Sequence, residues 1–206
     1  MNADLIITKI LMLPGIIIGL SFHEFAHAWV SDKLGDPTPR RQGRVTINPL
    51  AHIDWVGFAA LLLVGFGWGK PVQIDPGYYK HRRRDEFLVG IAGVTMNLLI
   101  ALIFSIPARA IVHSFNGAAA SDLVYNFYLI IYYIVMINVV LMIFNLIPCP
   151  PLDGWGIITQ IFRLDRYSWW YKVYQYGTWI LLALIVFNVT DLIITPLVSW
   201  ILWILL

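Results

Sequence analysis

The chain has 206 residues, which is enough for one domain. Apolar residues make up 59% of it and charged residues only 13%, about half the charged share of a soluble globular domain. These figures exclude a soluble domain and a disordered chain, and the single cysteine excludes a disulfide scaffold. A net charge of +2 gives no support to a nucleic-acid partner. The composition predicts a membrane protein, with residues 1–206 forming one membrane-embedded domain.

Three apolar stretches are long enough to cross a bilayer as a helix, which takes about 20 residues. They run from about Leu5 to Ser31, from Phe87 to Ala108 and from Leu123 to Ile147. The first stretch lacks a basic leading region and a small-residue cleavage site, so we do not expect a removable signal peptide.

A fourth apolar stretch runs from Val173 to Leu206 and is interrupted by Asp191 and Pro196. We expect a span followed by a bent tail, with Trp200 and Trp203 at an interface. A fifth run, from Trp55 to Phe66, is too short to cross the bilayer and favours a re-entrant or interfacial segment. The predicted fold class is therefore an all-α polytopic membrane protein, with about four transmembrane helices plus a re-entrant or β-like segment.

The basic residues predict the orientation of these spans, because cytoplasmic loops carry an excess of lysine and arginine. If the run at 55–66 does not cross, twelve basic residues lie on one side and two, Lys9 and Arg109, on the other. The twelve are Lys33, Arg40, Arg41, Arg44, Lys70, Lys80, Arg82, Arg83, Arg84, Arg163, Arg166 and Lys172. Segments 32–86 and 148–172 are then cytoplasmic and both termini are outside. The basic run at 81–84 is expected to anchor a membrane edge, with a regulatory lipid site as the alternative.

The first span carries ionisable residues where they are costly. His23, Glu24 and His27 have the spacing H-E-x-x-H, and in hydrocarbon such groups cost several kcal/mol together unless they are paired, ligated or wet. Residues four apart share a helix face, so both histidines can reach one zinc ion, with Glu24 beside it as the base for the attacking water. The alternatives are a chance pattern or two histidines hydrogen-bonded in a polar core, and the membrane setting disfavours both.

A catalytic zinc ion keeps three protein ligands and one open position, so a third ligand is needed. Six residues after His27, where a further histidine would complete a known pattern, the chain has Lys33. The only other glutamate, Glu86, lies in a basic cytoplasmic run. His52, Asp54 and Asp153 remain as candidates.

Asp153 is the strongest of these candidates. It follows three prolines, at 148, 150 and 151, which break the third span at its cytoplasmic end. Unwound backbone at that depth is tolerated where it is buried in protein or lines a wet cavity. His23 lies eighteen residues beyond Leu5, about 27 Å along the helix, which is the same side of the membrane. For His52 a place at the edge of the site, or a plain structural role, is expected, and Cys149 is expected to be packed rather than ligated.

The second span contains an asparagine, Asn97, in the pattern G-x-x-x-N that starts at Gly93. Small residues let helices approach closely, and an amide inside a span needs a partner. Asn97 is therefore expected either to form an interhelical hydrogen bond or to donate to a substrate carbonyl or oxyanion.

These motifs resemble the site-2 protease family of intramembrane zinc metalloproteases. The resemblance rests on residues 23–27 and on residues 145–154, which are similar to the motif N-x-x-P-x-x-P-x-D-G, with residues 93–97 fitting the second core helix. Stretches 44–54 and 67–72 resemble a short prokaryotic branch that lacks PDZ and CBS domains. The resemblance implies one Zn²⁺ per chain on His23, His27 and Asp153, with Glu24 as general base. It also implies a prokaryotic cell membrane, an active site near its cytoplasmic face, and regulatory membrane proteins with a transmembrane segment as substrates.

A helical substrate must unwind before its carbonyls can be attacked, because they are held in helix hydrogen bonds. Residues 67–75 could offer a strand edge, with Val72 and Ile74 pairing to an extended substrate. The alternative is a loop that merely covers the site. Two rival functions remain open at this stage, a membrane metal transporter and a catalytically inactive substrate-binding relative.

Overall fold

The computed structural model describes residues 3–64, 67–115 and 121–206. The described α-helices, in chain order, are α1 (Ala3–Lys33), α2 (Thr38–Arg41), α3 (Trp55–Val64), α4 (Arg82–Phe115), α5 (Asp122–Leu146), α6 (Asp153–Phe162), α7 (Ser168–Val186) and α8 (Val189–Leu205). Helices α1, α4 and α5 are long and apolar enough to cross a membrane, and α7 with α8 passes the same test as a pair bent by 71°. The predicted all-α polytopic membrane fold is confirmed.

The break in the last apolar stretch lies earlier than the sequence suggested. Helix α7 ends at Val186, and Asn188 adopts a left-handed backbone with φ 56° before α8 begins. The predicted span followed by a bent tail agrees with this bent pair, but the bend lies before Asp191 and Pro196, which are both inside α8. Asp191 falls in the first turn of α8, where a carboxylate is favourable because it faces the positive end of the helix dipole.

Three long helices form the body that holds the site. Helix α4 packs along α5, and α1 packs against both. Glycines allow α1 to approach α5 closely, because a Cβ at Gly15 would lie 2.9 Å from the carbonyl oxygen of Tyr133. The buried apolar cluster between α4, α5 and α8 consists of Val94, Ala101, Val135, Val139, Met142, Ile143, Val198 and Leu205.

The short helix α3 agrees with the prediction that residues 55–66 do not cross the bilayer. It has ten residues, about 15 Å of helix, and Trp55 and Leu63 are exposed. Residues 65 and 66, the end of the predicted run, lie outside the described residues. In the ranges that the model describes, the predicted β-like segment forms no strand, and the pairing near it is one isolated antiparallel bridge between Ile53 and Gly69.

Helix α6 was not predicted, and it positions the third candidate ligand. The chain leaves α5 at Leu146, passes through turns at residues 147–152 and enters α6 at Asp153. Helix α6 packs against α4 and α5, so its first residue lies beside the three long helices. The carboxylate of Asp153 is therefore held by a helix terminus rather than by the loop that precedes it.

Candidate metal centre

Three side chains from two helices, α1 and α6, meet at one point. His23 and His27 lie one turn apart on α1 with their Nε2 atoms 3.0 Å apart, and Oδ2 of Asp153 lies 3.2 Å from each of those nitrogens. The structure thus brings together the two histidines and the aspartate that the sequence selected. Among the described residues this is the one group of three side chains with metal-binding geometry.

The hydrogen bonds made by the Nδ1 atoms of the two histidines indicate the protonation of their Nε2 atoms. Nδ1 of His27 donates to the carbonyl oxygen of Val89 at 2.7 Å, and Nδ1 of His23 donates to Oδ1 of Asn97 at 2.7 Å. A neutral imidazole that carries its hydrogen on Nδ1 presents a lone pair at Nε2. Oδ2 of Asp153 is buried and has no hydrogen-bond partner of acceptable geometry. Three acceptors therefore face one another in a buried space, an arrangement that a cation would stabilise.

The distances fit a zinc ion. Tetrahedral zinc has bonds of about 2.0–2.2 Å to nitrogen and oxygen, so its ligand atoms lie about 3.4 Å from one another. The three observed separations of 3.0, 3.2 and 3.2 Å are close to that value. Three protein ligands leave the fourth position for water or substrate, as catalytic zinc sites require.

Asn97 supports His23 instead of facing the substrate. Its Nδ2 donates to the carbonyl oxygen of Gly19 at 3.1 Å and to Oδ1 of Asn138 at 2.9 Å. Both amide hydrogens are used, which leaves none for a substrate oxyanion. The contacts favour the interhelical alternative, in which Asn97 orients a ligand, and outer partners of this kind commonly set the direction and basicity of metal-bound histidines.

Gly93 gives α4 the close approach that the centre requires. A Cβ at this position would lie 2.5 Å from Cε1 and 2.6 Å from Nε2 of His23, far inside ordinary contact. The backbone of α4 therefore lies directly against the imidazoles, and only glycine leaves the two Nε2 nitrogens unobstructed. This explains the glycine in the G-x-x-x-N pattern more specifically than helix packing alone.

Glu24 lies beside the candidate ligands, and its carboxylate is held by the loop residues Val72 and Arg44. Its Oε2 accepts a hydrogen bond from the backbone N–H of Val72 at 2.8 Å, and the guanidinium of Arg44 is 4.0 Å from the same oxygen. Arg44 is buried and donates to the carbonyl oxygen of Lys70. The segment at 70–75 is thereby fixed across Glu24, with one carboxylate oxygen engaged by backbone.

This contact corrects the prediction for Val72. The N–H that was expected to pair with an extended substrate is already bonded to Glu24. The segment is further fixed where the N–H of Lys70 donates to the carbonyl oxygen of His52 at 2.8 Å, and where the N–H of Asp75 donates to Asp36 at 2.8 Å. Ile74 keeps a place near the substrate, since it lines the same cavity as Glu24.

The remaining ligand candidates lie elsewhere. His52 is fully buried with Nε2 at 2.7 Å from the carbonyl oxygen of Thr46, and burial lowers the pKa of its imidazole. Asp54 accepts hydrogen bonds from the N–H groups that begin α3, at 3.0 and 2.9 Å. Cys149 is buried with Sγ facing backbone carbonyls. Each of these side chains has a structural role away from the three ligands.

A cavity of about 510 Å³ opens onto the centre. Its wall combines His23, Glu24, His27 and Asp153 with Pro71, Val72, Ile74, Pro76, Glu86, Val89, Gly90, Asn145, Pro151, Leu152, Trp155, Gly156, Thr159, Gln160, Trp170 and Tyr174. The volume falls in the range of small-molecule sites. The lining is partly aromatic and partly polar, so an extended peptide segment would meet both apolar surface and hydrogen-bonding groups.

Sequence reasoning missed several residues that support the centre. Asn138 is an amide inside an apolar span, and the argument applied to Asn97 would have selected it too. The carbonyl of Val89 has no sequence signal, because any residue supplies one. The contact between Val72 and Glu24 joins residues 48 positions apart, and only the fold brings them together.

Comparison with known proteins identifies the family of the chain. Residues 108–188, which contain Asp153, match the model of Peptidase family M50. A Bacillus subtilis protein named "Putative zinc metalloprotease YwhC" is 36% identical over 191 residues, covering 91% of this chain and 82% of the relative. The chain belongs to peptidase family M50. The predicted resemblance to site-2 proteases is thereby confirmed.

Two further relatives extend the comparison. "Putative zinc metalloprotease Rip2" of Mycolicibacterium smegmatis is 25% identical over 197 residues, covering 93% of this chain and 72% of the relative. The protein of the same name in Mycobacterium tuberculosis is 24% identical over 163 residues, covering 75% of this chain and 58% of the relative. No solved structure matches the chain. These relatives support a zinc metalloprotease, in agreement with the donor set of the centre.

Proposed function

We propose that this chain is an intramembrane zinc metalloendopeptidase that hydrolyses peptide bonds in or near the transmembrane segments of membrane proteins. The observation that carries the proposal is the meeting of His23, His27 and Asp153 beside Glu24. Two of these ligands lie on α1, a helix long and apolar enough to cross the bilayer. A hydrolytic centre on such a helix acts on substrates that lie in the membrane or at its edge.

His23, His27 and Asp153 would hold one zinc ion per chain through two nitrogens and one oxygen. Bound there, zinc would polarise the scissile carbonyl and make water a strong nucleophile at neutral pH. The protein fixes the ligands in advance: Asn97 and the carbonyl of Val89 set the directions of the two imidazoles. Little reorganisation is then needed when a substrate arrives.

Glu24 is the proposed general base. The N–H of Val72 holds Oε2, which leaves Oε1 to take a proton from the attacking water. The same carboxyl can return that proton to the leaving amine, as general acid–base catalysis requires. A fixed carboxylate loses less entropy on reaching its reactive position than a freely rotating one.

The cytoplasmic face of a prokaryotic cell membrane is the proposed location of this chemistry. The chain segments next to the centre, 32–86 and 148–172, carry twelve of the fourteen basic residues, which favours their retention in the cytoplasm. Water would reach the centre from that side. A substrate helix would have to unwind near its cytoplasmic end, so we expect substrates with helix-weakening glycine, proline or asparagine near the cut to be preferred.

The test is co-expression with candidate single-span membrane proteins, comparing wild type with Glu24→Gln. Glutamine keeps the shape of the side chain and removes the base, so we expect a folded, zinc-loaded protein whose cleavage falls by at least about 100-fold. Wild-type cleavage by the variant would refute the role of Glu24. Metal binding without cleavage of any substrate by the wild type would instead favour a transporter or an inactive relative.

A further inference from the structure

A second cavity, of about 430 Å³, lies beside the first at the start of α4 and the end of α6. Four arginines and two carboxylates contribute to its wall, which consists of Arg82, Arg83, Glu86, Thr159, Gln160, Arg163, Asp165, Arg166 and Trp170. We call it the arginine cavity. With four cations against two anions, it carries a net positive charge in its unliganded form.

Two of the arginines are committed to the protein itself. Arg82 pairs with Glu86 at 2.6 Å, one turn along α4. Arg83 donates to the carbonyl oxygens of Gln160 and Ile161, the latter at 2.7 Å, and so ties α4 to the last turn of α6. Arg83 thus holds the two helices together, Arg82 is paired within α4, and both residues line the cavity.

The other two arginines, Arg163 and Arg166, make no such contacts with the described part of the protein. Within the described ranges, the side chains of Arg163 and Arg166 form no hydrogen bond and no ion pair, and both residues are exposed. Arg163 ends α6 with a left-handed backbone, φ 55°. Two free guanidinium groups in one concave site repel each other unless an anion lies between them.

The surroundings of the arginine cavity are typical of a membrane surface. The apolar part of α4 begins at Phe87, after a first turn and a half of charged residues at 82–86, and α7 begins at Ser168. Tyr167, Trp169 and Tyr171 are exposed at that same helix start. Tyrosine and tryptophan concentrate at the height of the lipid headgroups, where basic pockets between helices bind anionic lipids.

We propose that the arginine cavity binds the phosphate of an anionic phospholipid headgroup, with Arg163 and Arg166 as its principal donors. A guanidinium group offers paired N–H donors that match two phosphate oxygens at once. The acyl chains of such a lipid would extend along the apolar surface of α4 and α7. This proposal is independent of the proposed proteolytic activity.

Such a lipid would also support the metal centre. Glu86, Thr159, Gln160 and Trp170 line both cavities, and the wall between them is closed by hydrogen bonds from Gln160 to Glu86 and from Trp170 to Thr159. A headgroup that bridges α4 and α6 would hold together the helix of Gly93 and the helix of Asp153. Lipid binding should therefore stabilise the folded protein by linkage.

The test measures thermal stability of the detergent-purified full chain during titration with short-chain phosphatidylglycerol, and separately with phosphatidylcholine and with inorganic phosphate. Phosphatidylglycerol should raise the Tm of the wild type in a saturable way, and the other two should not. The double variant Arg163→Gln, Arg166→Gln should bind phosphatidylglycerol about 25-fold more weakly, at about fivefold for each arginine. Arg41→Gln, which removes one exposed charge outside the cavity, is the control and should behave as wild type.

Glutamine is shorter than arginine but is also unbranched as far as Cδ and bears a similar backbone cost at position 163, so the double variant should fold. Lipid that co-purifies with the protein, measured by native mass spectrometry, provides a second readout. An equal response of wild type and double variant to phosphatidylglycerol would overturn the proposal. Stabilisation of the wild type by inorganic phosphate alone would also overturn it, in favour of a free anion. If a peptide with acidic residues raises the Tm through the two arginines while phosphatidylglycerol does not, the cavity binds substrate and the lipid proposal is overturned.

Discussion

Replacing Gly93 by alanine should empty the metal centre. The added Cβ would lie 2.5 Å from Cε1 and 2.6 Å from Nε2 of His23, whereas ordinary contact begins at 3.4 Å. Nε2 of His27 would lie closer still, so helices α1 and α4 would have to separate by at least about 0.8–0.9 Å, or the imidazoles would have to turn away. Zinc sites tolerate ligand displacements of about 0.2 Å, so the required shift is about four times too large. We expect metal affinity to fall by at least about 100-fold and stability by about 1–3 kcal/mol through overpacking.

The measurement is zinc bound per chain in detergent, together with competition against a chromogenic chelator. Two matched glycines supply the controls. A Cβ at Gly90, one turn earlier on α4, would lie 3.3 Å from Cγ1 of Ile157, and a Cβ at Gly156 on α6 would meet nothing within 4 Å. Both alanine variants should keep zinc, and the one at 156 should gain about 0.5–1 kcal/mol because alanine favours a helix over glycine. Wild-type metal affinity in Gly93→Ala would refute the close approach of α4.

Four further outcomes are expected. Asp153→Ala should lose zinc and activity together, because one of three ligands is removed. Asn97→Ala should weaken zinc binding by about 10–100-fold, because His23 loses the partner that directs it. Val72→Pro removes the N–H that holds Glu24, so cleavage should fall about 10-fold or more while zinc content stays unchanged. Burial lowers the pKa of His52 from 6.5, against the opposing effect of its carbonyl partner, so the folded protein should lose stability as pH falls below 6.5, and His52→Gln should flatten that loss.

Each of these outcomes has a control or a result that contradicts it. For the ligand, Asp54→Asn and Cys149→Ala should keep about one zinc per chain, and zinc retained by Asp153→Ala but lost by a His52 variant would mean that the third ligand is wrong. For Val72→Pro, the assay compares a substrate that has a helix breaker with one that has leucines. Equal losses on both fit a role in holding Glu24, whereas a loss confined to the leucine substrate would favour strand pairing. For His52, the sign follows because the unfolded state binds a proton that the folded state excludes, and a Tm that rises between pH 7 and 5.5 would contradict it.

The spans could be predicted because hydropathy reports directly on the lipid environment. The third predicted span, from Leu123 to Ile147, differs from α5 by one residue at each end. The second was predicted from Phe87 to Ala108, whereas α4 runs from Arg82 to Phe115. Helical hydrogen bonding continues through polar residues beyond the hydrocarbon, where hydropathy no longer marks it.

The grouping of the three candidate ligands could be predicted because ionisable side chains are costly in a membrane unless they are paired or ligated, whereas the surroundings of the group could not. His23, His27 and Asp153 were selected from spacing and elimination. The role of Gly93 depends on the distance between α1 and α4. The hydrogen bond from Val72 to Glu24 depends on the path of the long loop that contacts α1. The break at Asn188 was missed because proline and a charged residue are stronger sequence signals than an asparagine, although asparagine tolerates a left-handed backbone.

Cys149, the only thiol of the chain, makes the membrane orientation open to direct chemical mapping. Its Sγ is enclosed beside the carbonyl oxygens of Pro150 and Gly177, and burial raises the pKa of the thiol, so the reactive thiolate is scarce. A membrane-impermeant maleimide added to whole cells should leave the native chain unlabelled. Single cysteines introduced at the exposed positions Arg41 and Ser121 would then report opposite faces of the bilayer, and no cysteine-free background would have to be engineered first.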